Sequence, residues 1–429
     1  MVGGIDFIIF IVLMLCGIPV SLSMGVATGV CLTAIGVSSE MLCQKIITGI
    51  ESWQLLAVPF FITAAQIMNA GELTSDLFDF ADKVVGWVKG GLAHANVLAS
   101  MIFAGISGAA VADAAGLGTV EIKAMKDAGY GKRLAVAVTA SSCLIGPIIP
   151  PSIMLIIYGH ITELSIAALW IAGIIPGVIT GIILMIYVYF VVSIGMFKAP
   201  KPHRFSLHEL YKSFIRNLPI LFLPSLLLIL LLTGWATPVE IGVVACLYSF
   251  VLSVVYRGKK FLKKLPQTLK ESVKSTAIIM FIVGTATAFT WIITREQTAV
   301  VVYNLFISFT SHKYLLILMV NAFLLLVGAL MEGIPAMLII VPLLSPLAST
   351  LGVNPLQFGV MVVFNLMIGM LTPPMGVGLY IMKSITDLPM KDIVISCAKF
   401  YLPLIIALLL ITFVPLLSTF LPKVVGLIQ

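Results

Sequence analysis

Charge is scarce in this chain of 429 residues: 10% are Asp, Glu, Lys or Arg, where a soluble domain carries roughly 25%. Hydrophobic residues make up 60%, which leaves too little polar surface to face water. A soluble fold is thereby excluded. Strict alternation of apolar and polar residues is missing too, and "PILFLPSLLLILLL" (219–232) is apolar on every face, which argues against a membrane β-barrel. Cysteine is sparse, at positions 16, 31, 43, 143, 246 and 397, with no C-x-x-C pair. Neither a disulfide framework nor a zinc site is suggested, and the cysteines read as small buried hydrophobes. The five histidines (94, 160, 203, 208, 312) do not gather at metal-ligand spacing, so nothing favours a membrane enzyme. No phosphate-cradling glycine motif suggests an ATPase. The apolar stretch Ile5 to Ile35 lacks a basic n-region and is too long for a signal-peptide core, so it reads as membrane-embedded.

Apolar stretches of 18 residues or more recur along nearly the whole chain, each long enough to cross a bilayer as a helix. The sequence therefore predicts an all-α polytopic membrane protein. The formal charge of +7 belongs to the connections and is read as topology rather than as a nucleic-acid surface. Residues 197–216 hold Lys198, Lys201, Arg204, Lys212 and Arg216; residues 256–270 hold Arg257, Lys259, Lys260, Lys263, Lys264 and Lys270. Basic loops stay in the cytoplasm, and two spans, about 217–234 and 238–255, bring the chain back to that side. A third basic loop, 121–133, precedes two more spans, about 134–160 and 165–196, and the parity holds again. "NAGELTSDLFDFADKVVGWVKGG" (69–91) mixes charge with an apolar face and reads as an interfacial arm helix.

Proline and glycine are placed with a pattern. One constant shift along the chain carries Gly146 onto Gly369, Pro150 onto Pro373 and Pro151 onto Pro374; it also carries Gly129 onto Gly352 and Gly105 onto Gly328. Such coincidence at one offset predicts an internal duplication. Paired hydrophobic segments interrupted by Gly and Pro in both halves are the sequence mark of a secondary transporter's binding site. Proline lacks an N–H and pushes its predecessor out of the α region. Each Pro-Pro therefore frees main-chain carbonyls, which in lipid must be buried in protein or line a polar cavity. Freed carbonyls can ligate a sodium ion, and the next half-helix's N-terminus favours an anion. A plain packed kink is the bland alternative for either break taken alone.

Each half has a second polar interruption. "FAGISGAAVADAAGLG" (103–118) surrounds Ser107, Gly108 and Asp113 with small residues, and "VGALMEGIPAML" (327–338) carries Glu332 and Gly333. Intramembrane carboxylates mark functional sites by default, and the apolar stretches on either side of Ser107 are each short for a full crossing, which predicts a re-entrant hairpin turning near "GISG". Close helix packing accounts equally for the small residues, but not for Asp113. Asn365 offers a hydrogen-bonding group beside the second break, either to solute or to a neighbouring helix.

These stretches also carry a likeness. "GISGAAVADAAGLG", "GPIIPPSIMLIIYG" and "GVNPLQFGVMVVFNLMIGMLTPPMGVGLY" resemble the large membrane subunit of tripartite ATP-independent periplasmic (TRAP) transporters, and the resemblance covers essentially the whole chain. The sequence looks most like the sialic-acid branch, with the C4-dicarboxylate branch as the alternative. The resemblance implies a bacterial inner-membrane secondary transporter, driven by sodium. It implies two partners, a small membrane subunit of four helices and a periplasmic substrate-binding protein. It also implies an inverted-repeat elevator with two re-entrant hairpins and two discontinuous helices. Sodium would bind at Ser107, Gly108, Asp113 and Gly146, and again at Gly328, Glu332, Gly333, Gly369 and Thr372. The organic anion would meet Ser107, Pro150, Pro151, Asn365, Thr372, Pro373 and Pro374. The family's first hairpin carries Ser-Gly-Ser; Ala109 replaces the second serine here and removes one hydroxyl.

On that likeness residues 91–165 and 313–390 form the moving transport domain. Residues 1–90, 166–312 and 391–429 form the scaffold, with the arm in the first segment. The rival readings are an ion channel, which predicts a continuous pore, and a non-transporting scaffold subunit, which leaves Asp113 and the duplicated breaks unexplained.

Overall fold

The computed structural model describes residues 2–310 and 312–428, and among these every regular element is a helix. Two short apolar helices, α1 (Val2–Leu15) and α2 (Val20–Ala34), fold back on each other, and α3 (Glu40–Ile50) follows. A 3-10 turn (Trp53–Leu56) runs into α4 (Ala57–Ala70), and the two make one apolar span. α5 (Leu73–Val85) is the arm. A hairpin of α6 (Gly91–Ser107), α7 (Ala110–Ala115) and α8 (Leu117–Asp127) comes next. It leads into a broken helix, α9 (Lys132–Ser142) and α10 (Ile153–Thr162), interrupted over 146–152.

Long helices then fill the middle of the chain: α11 (Ile166–Ser193), α12 (Leu207–Leu232), α13 (Pro238–Arg257) and α14 (Lys259–Arg295), followed by the short α15 (Thr298–Phe309). A second hairpin, α16 (Lys313–Leu330) and α17 (Gly333–Thr350), precedes a second broken helix, α18 (Pro355–Gly369) and α19 (Val377–Ile385). The chain closes with α20 (Met390–Ala398) and α21 (Tyr401–Phe413), bent by 47°, and α22 (Leu416–Val424). Among the described residues seven helices are long and apolar enough to cross a bilayer.

The duplication shows in the element boundaries. Under the shift that carries Gly146 onto Gly369, α6 falls on 314–330, against 313–330 for α16; α10 falls on 376–385, against 377–385 for α19. The end of α8 at Asp127 falls on Thr350, the last residue of α17.

The basic stretches differ from the loops that the sequence suggests. Residues 259–270 are the first turns of α14, because their Lys and Leu are good helix formers. At 37 residues α14 is about 55 Å long, far more than the roughly 30 Å hydrocarbon layer, so its basic end projects into water. There it meets the arm. Asp76, buried on α5, takes Arg257 at 2.8 Å and Arg216 at 3.6 Å, while Glu72 takes Lys264 at 3.0 Å. Lys83 pairs with Glu209 at 2.8 Å. The hydrogen bond from Lys264 holds the Glu72 carboxyl below its usual range, and the bond to Glu209 holds the Lys83 ammonium above its own.

Candidate functional site

The first hairpin turns where the small-residue motif suggests. α6 ends at Ser107, and Gly108 adopts a left-handed conformation (φ 62°) before Ala109 returns to an extended one. Glycine is required there twice over. An L side chain is strained at that φ, and a Cβ would strike the Pro151 carbonyl oxygen. The tip is thus seated on the first proline break, and the Ile153 N–H donates to the Gly108 carbonyl at 3.3 Å. Behind the tip the Ser107 hydroxyl donates to Asp113 Oδ1. Asp113 is 1% exposed, and its Oδ2 has no hydrogen-bond partner among the described residues. That oxygen lies where a Cβ on Gly146 would be, so the broken helix approaches the carboxylate only because residue 146 has no side chain.

The second hairpin is seated on the second break in a similar way. A Cβ on Gly369 would come within 2.5 Å of the Gly328 backbone, and the Met375 N–H donates to the Ala329 carbonyl at 3.1 Å. Glu332 precedes the first residue of α17 but does not cap it with its side chain. Both Pro-Pro bonds, 150–151 and 373–374, are cis. Their surroundings differ, since Pro150 and Pro151 are buried whereas Pro373 and Pro374 are exposed.

Several carbonyls around the breaks are already engaged by the protein. Trp170 Nε1 donates to the Ser152 carbonyl at 3.1 Å, and the Ser152 hydroxyl to the Pro147 carbonyl at 2.5 Å. The Tyr401 hydroxyl donates to the Leu371 carbonyl at 2.6 Å. Buried backbone acceptors are normally satisfied in this way. What the breaks leave over is fewer acceptors than two prolines alone imply.

A cavity of about 420 Å³ lies between the two tips. Ser107, Gly108, Glu332 and Gly333 are on its wall. Asp113 and Gly146 lie behind the first tip, and Gly328 and Gly369 pack against each other behind the second. Pro150, Pro151, Thr372, Pro373 and Pro374 are off the wall. The Thr372 hydroxyl bonds to the Ile368 carbonyl at 3.1 Å. Asn365 is also off the wall. It is fully buried, donates to Asn321 Oδ1 at 2.6 Å, and belongs to a network that reaches Thr412. Not foreseen from the sequence is the side of the cavity formed by Ile62, Ala65 and Gln66 of α4 and by Ser275, Ile278 and Ile279 of α14. Gln66 had a signal, being polar inside an apolar span. Ser275 had none, because it follows the basic turns of α14.

The first tip gathers hard oxygen donors. A carboxylate oxygen buried without a partner is costly in an apolar interior, and a hard cation takes oxygen ligands such as carboxylate, hydroxyl and backbone carbonyl. Asp113, Ser107 and the carbonyls of the adjacent break are of that kind.

The family profile described as "Tripartite ATP-independent periplasmic transporter, DctM component" matches residues 7–417. The chain is 38% identical over 413 residues to the sialic acid TRAP transporter large permease protein SiaM of Vibrio cholerae, with 96% of each chain covered. It is 35% identical over 390 residues to the C4-dicarboxylate TRAP transporter large permease protein DctM of Pseudomonas aeruginosa, with 91% of each covered. In fold it is similar to the crystal structure of the Alcanivorax borkumensis YdaH transporter. The TM-score there is 0.57 at 14% sequence identity, and 90% of this chain and 88% of that one are covered.

Proposed function

Because this chain belongs to the DctM component family of tripartite ATP-independent periplasmic transporters, we propose that it carries out sodium-coupled uptake of an organic acid anion. The family makes it a transport protein of the inner membrane rather than an enzyme, and one subunit of a multi-subunit system. The partners we propose are a small four-helix membrane subunit and a periplasmic protein that delivers the solute. Sialic acid and C4-dicarboxylates, the solutes in the relatives' names, share the class proposed here, and sialic acid is the first candidate to assay.

One observation carries this reading: two hairpin tips, each seated on a broken helix, face one solute-sized cavity, and a buried carboxylate stands behind the first tip. Sodium held near Ser107, Asp113 and Gly146, and again near Glu332, Gly333 and Thr372, would fix both tips and lend the cavity positive potential. That potential matters, because among the described residues no Lys or Arg lines the cavity. Between the hairpins α11, α12, α13 and α14 are long and apolar enough to cross, and we count the broken helix α9–α10 as one further crossing and the short α15 as none. This odd number of crossings supports an inverted repeat, with the first hairpin entering from the cytoplasm and the second from the periplasm. Residues 91–165 and 313–390 then move as the transport domain against α4 and α14.

In this arrangement the cavity opens toward the cytoplasm. Gln66 lies one turn before the end of α4, beside the arm that is clamped to the basic turns, and Ser275 follows Lys274 directly. The test is uptake of labelled N-acetylneuraminate and succinate into proteoliposomes holding both membrane subunits, with the binding protein added outside. The reading expects uptake only with an inward sodium gradient. Uptake indifferent to sodium, or an ion current without solute flux, overturns it.

A further inference from the structure

We infer that Gln66 and Ser275 form a hydrogen-bonding subsite for the solute's carboxylate on the stationary wall, engaged only while the hairpin tips face the cytoplasm. This rests on the transport reading above and adds to it a contact from outside the hairpins.

Ile62, Ala65 and Gln66 lie on one face of α4, and Ser275, Ile278 and Ile279 on one face of α14, each set at the helical spacing of i, i+3 and i+4. Both faces are apolar except at Gln66 and Ser275. A wall against which apolar helices merely slide has no use for polar groups, because covering them without partners costs free energy. The pair is also oriented. The Ser272 hydroxyl lies 2.9 Å from both Gln66 Oε1 and the Thr268 carbonyl, and it has one hydrogen to give; with Gln66 as its acceptor, the amide nitrogen faces Ser275, where Nε2 is 3.4 Å from the hydroxyl oxygen. The amide carries two hydrogens and Ser275 accepts one of them. One Gln66 N–H and the Ser275 O–H are then left to donate into the cavity, beside one remaining lone pair on the Ser275 oxygen. A carboxylate is the complementary ligand.

The opposite wall favours the same placement. Among the described residues Glu332 is the one ionisable side chain on the cavity's lining, and unless sodium offsets it, its like charge disfavours a carboxylate beside it. Gln66 also bridges α4 to α14 through its carbonyl oxygen, 2.9 Å from the Ser272 hydroxyl, and that role leaves its amide nitrogen available to the cavity. At the other end of α14, Thr290 and Thr294 line a separate crevice of about 440 Å³ with Ser345 and Ser349. Tips moved toward the periplasm meet that end of the scaffold instead. The donors Gln66 and Ser275 therefore belong to one side of the cycle.

The experiment compares Gln66→Leu and Ser275→Ala with wild type in the reconstituted three-part system, using N-acetylneuraminate and succinate. Half-saturation is measured for external solute driving uptake and for internal solute driving exchange. A hydrogen bond to a charged group corresponds to about a tenfold change or more. We expect the ratio of internal to external half-saturation to rise about tenfold in each variant, with a larger rise in Gln66→Glu, which brings a like charge to the anion. Internal and external values that shift together, or a ratio that stays put, overturn the inference. Ser275→Ala removes one oxygen atom and carries the test if Gln66→Leu does not fold. Wild type without sodium-dependent uptake of either solute sinks the transport reading and the subsite together; working wild type with an unchanged ratio sinks the subsite alone.

Discussion

Asp113 has one carboxylate oxygen bonded to Ser107 and the other against Gly146 with no partner among the described residues. An uncompensated buried charge destabilises a fold, and a ligand that binds only the folded state restores stability by mass action. Sodium is therefore expected to raise the melting temperature of the wild-type complex. Asp113→Ala should abolish that rise and weaken the sodium dependence of uptake roughly 10–100-fold, the worth of a charge-assisted contact. Gly146→Ala should weaken it in the same direction, because the new Cβ lands on the carboxylate. A thermal-shift series against sodium chloride, with choline chloride as the control, checks both variants; equal sodium shifts in wild type and Asp113→Ala would remove sodium from this site. At this scale the sequence singles out Asp113, and the fold buries it. A lone carboxylate in a small-residue turn can be read from its type alone. Asn365 could not be assigned that way, since solute and neighbouring helix offer an amide the same hydrogen bonds, and only the fold brings Asn321 to 2.6 Å.

Among the elements, the arm α5 depends on charges that lie far from it in the sequence. Its Asp76 is held by Arg257 from α13 and by Arg216 from α12, and its Glu72 by Lys264 from α14. Breaking a fully buried pair costs about 3–5 kcal/mol. Asp76→Asn should cost less, about 1–2 kcal/mol, because Arg257 keeps its bond to the Glu72 carbonyl at 3.2 Å and stays partly solvated. Limited proteolysis of the arm from the cytoplasmic side reads this directly. The pH dependence has a defined sign. Glu72 is lowered from its ordinary value of 4.5 chiefly by the Lys264 hydrogen bond. Its contribution is complete above 4.5 and is lost as pH falls through the lowered value. Arm protection should therefore hold from neutral pH down to about 5 and fail only in stronger acid; loss near pH 6 would point to another group. The amphipathic arm was readable from residues 69–91, and the basic stretches from their lysines. Their pairing was not, because periodicity reports the face of a helix and never its partner. The same limit hid the helical start of α14, where basic composition outweighed good helix propensity.

For the molecule as a whole, the constant offset between the two halves was the most informative feature in the sequence. It found both breaks, and the element boundaries agree with it closely. It did not find the side of the cavity formed by α4 and α14, because these helices lie outside the repeated segments and meet the hairpins only in three dimensions. That geometry makes motion testable. If the hairpins travel along α14, Ile278 near the cytoplasmic cavity and Ser345 beside the opposite crevice should trade accessibility during the cycle. Cys16 and Cys43 are exposed and Cys246 is half-buried; all three are replaced by serine first, so that Ile278→Cys or Ser345→Cys is the accessible thiol that a membrane-impermeant maleimide reports. In sodium-free inside-out vesicles, Ile278→Cys should react quickly. With sodium, solute and binding protein on the periplasmic side, its rate should fall several-fold while that of Ser345→Cys rises in right-side-out vesicles. A fixed pore predicts neither change, and a rate at Ile278→Cys that is indifferent to sodium and solute during active uptake would rule out movement of the tips along this wall. The two labels must change in opposite senses, because hairpins that approach one end of α14 withdraw from the other.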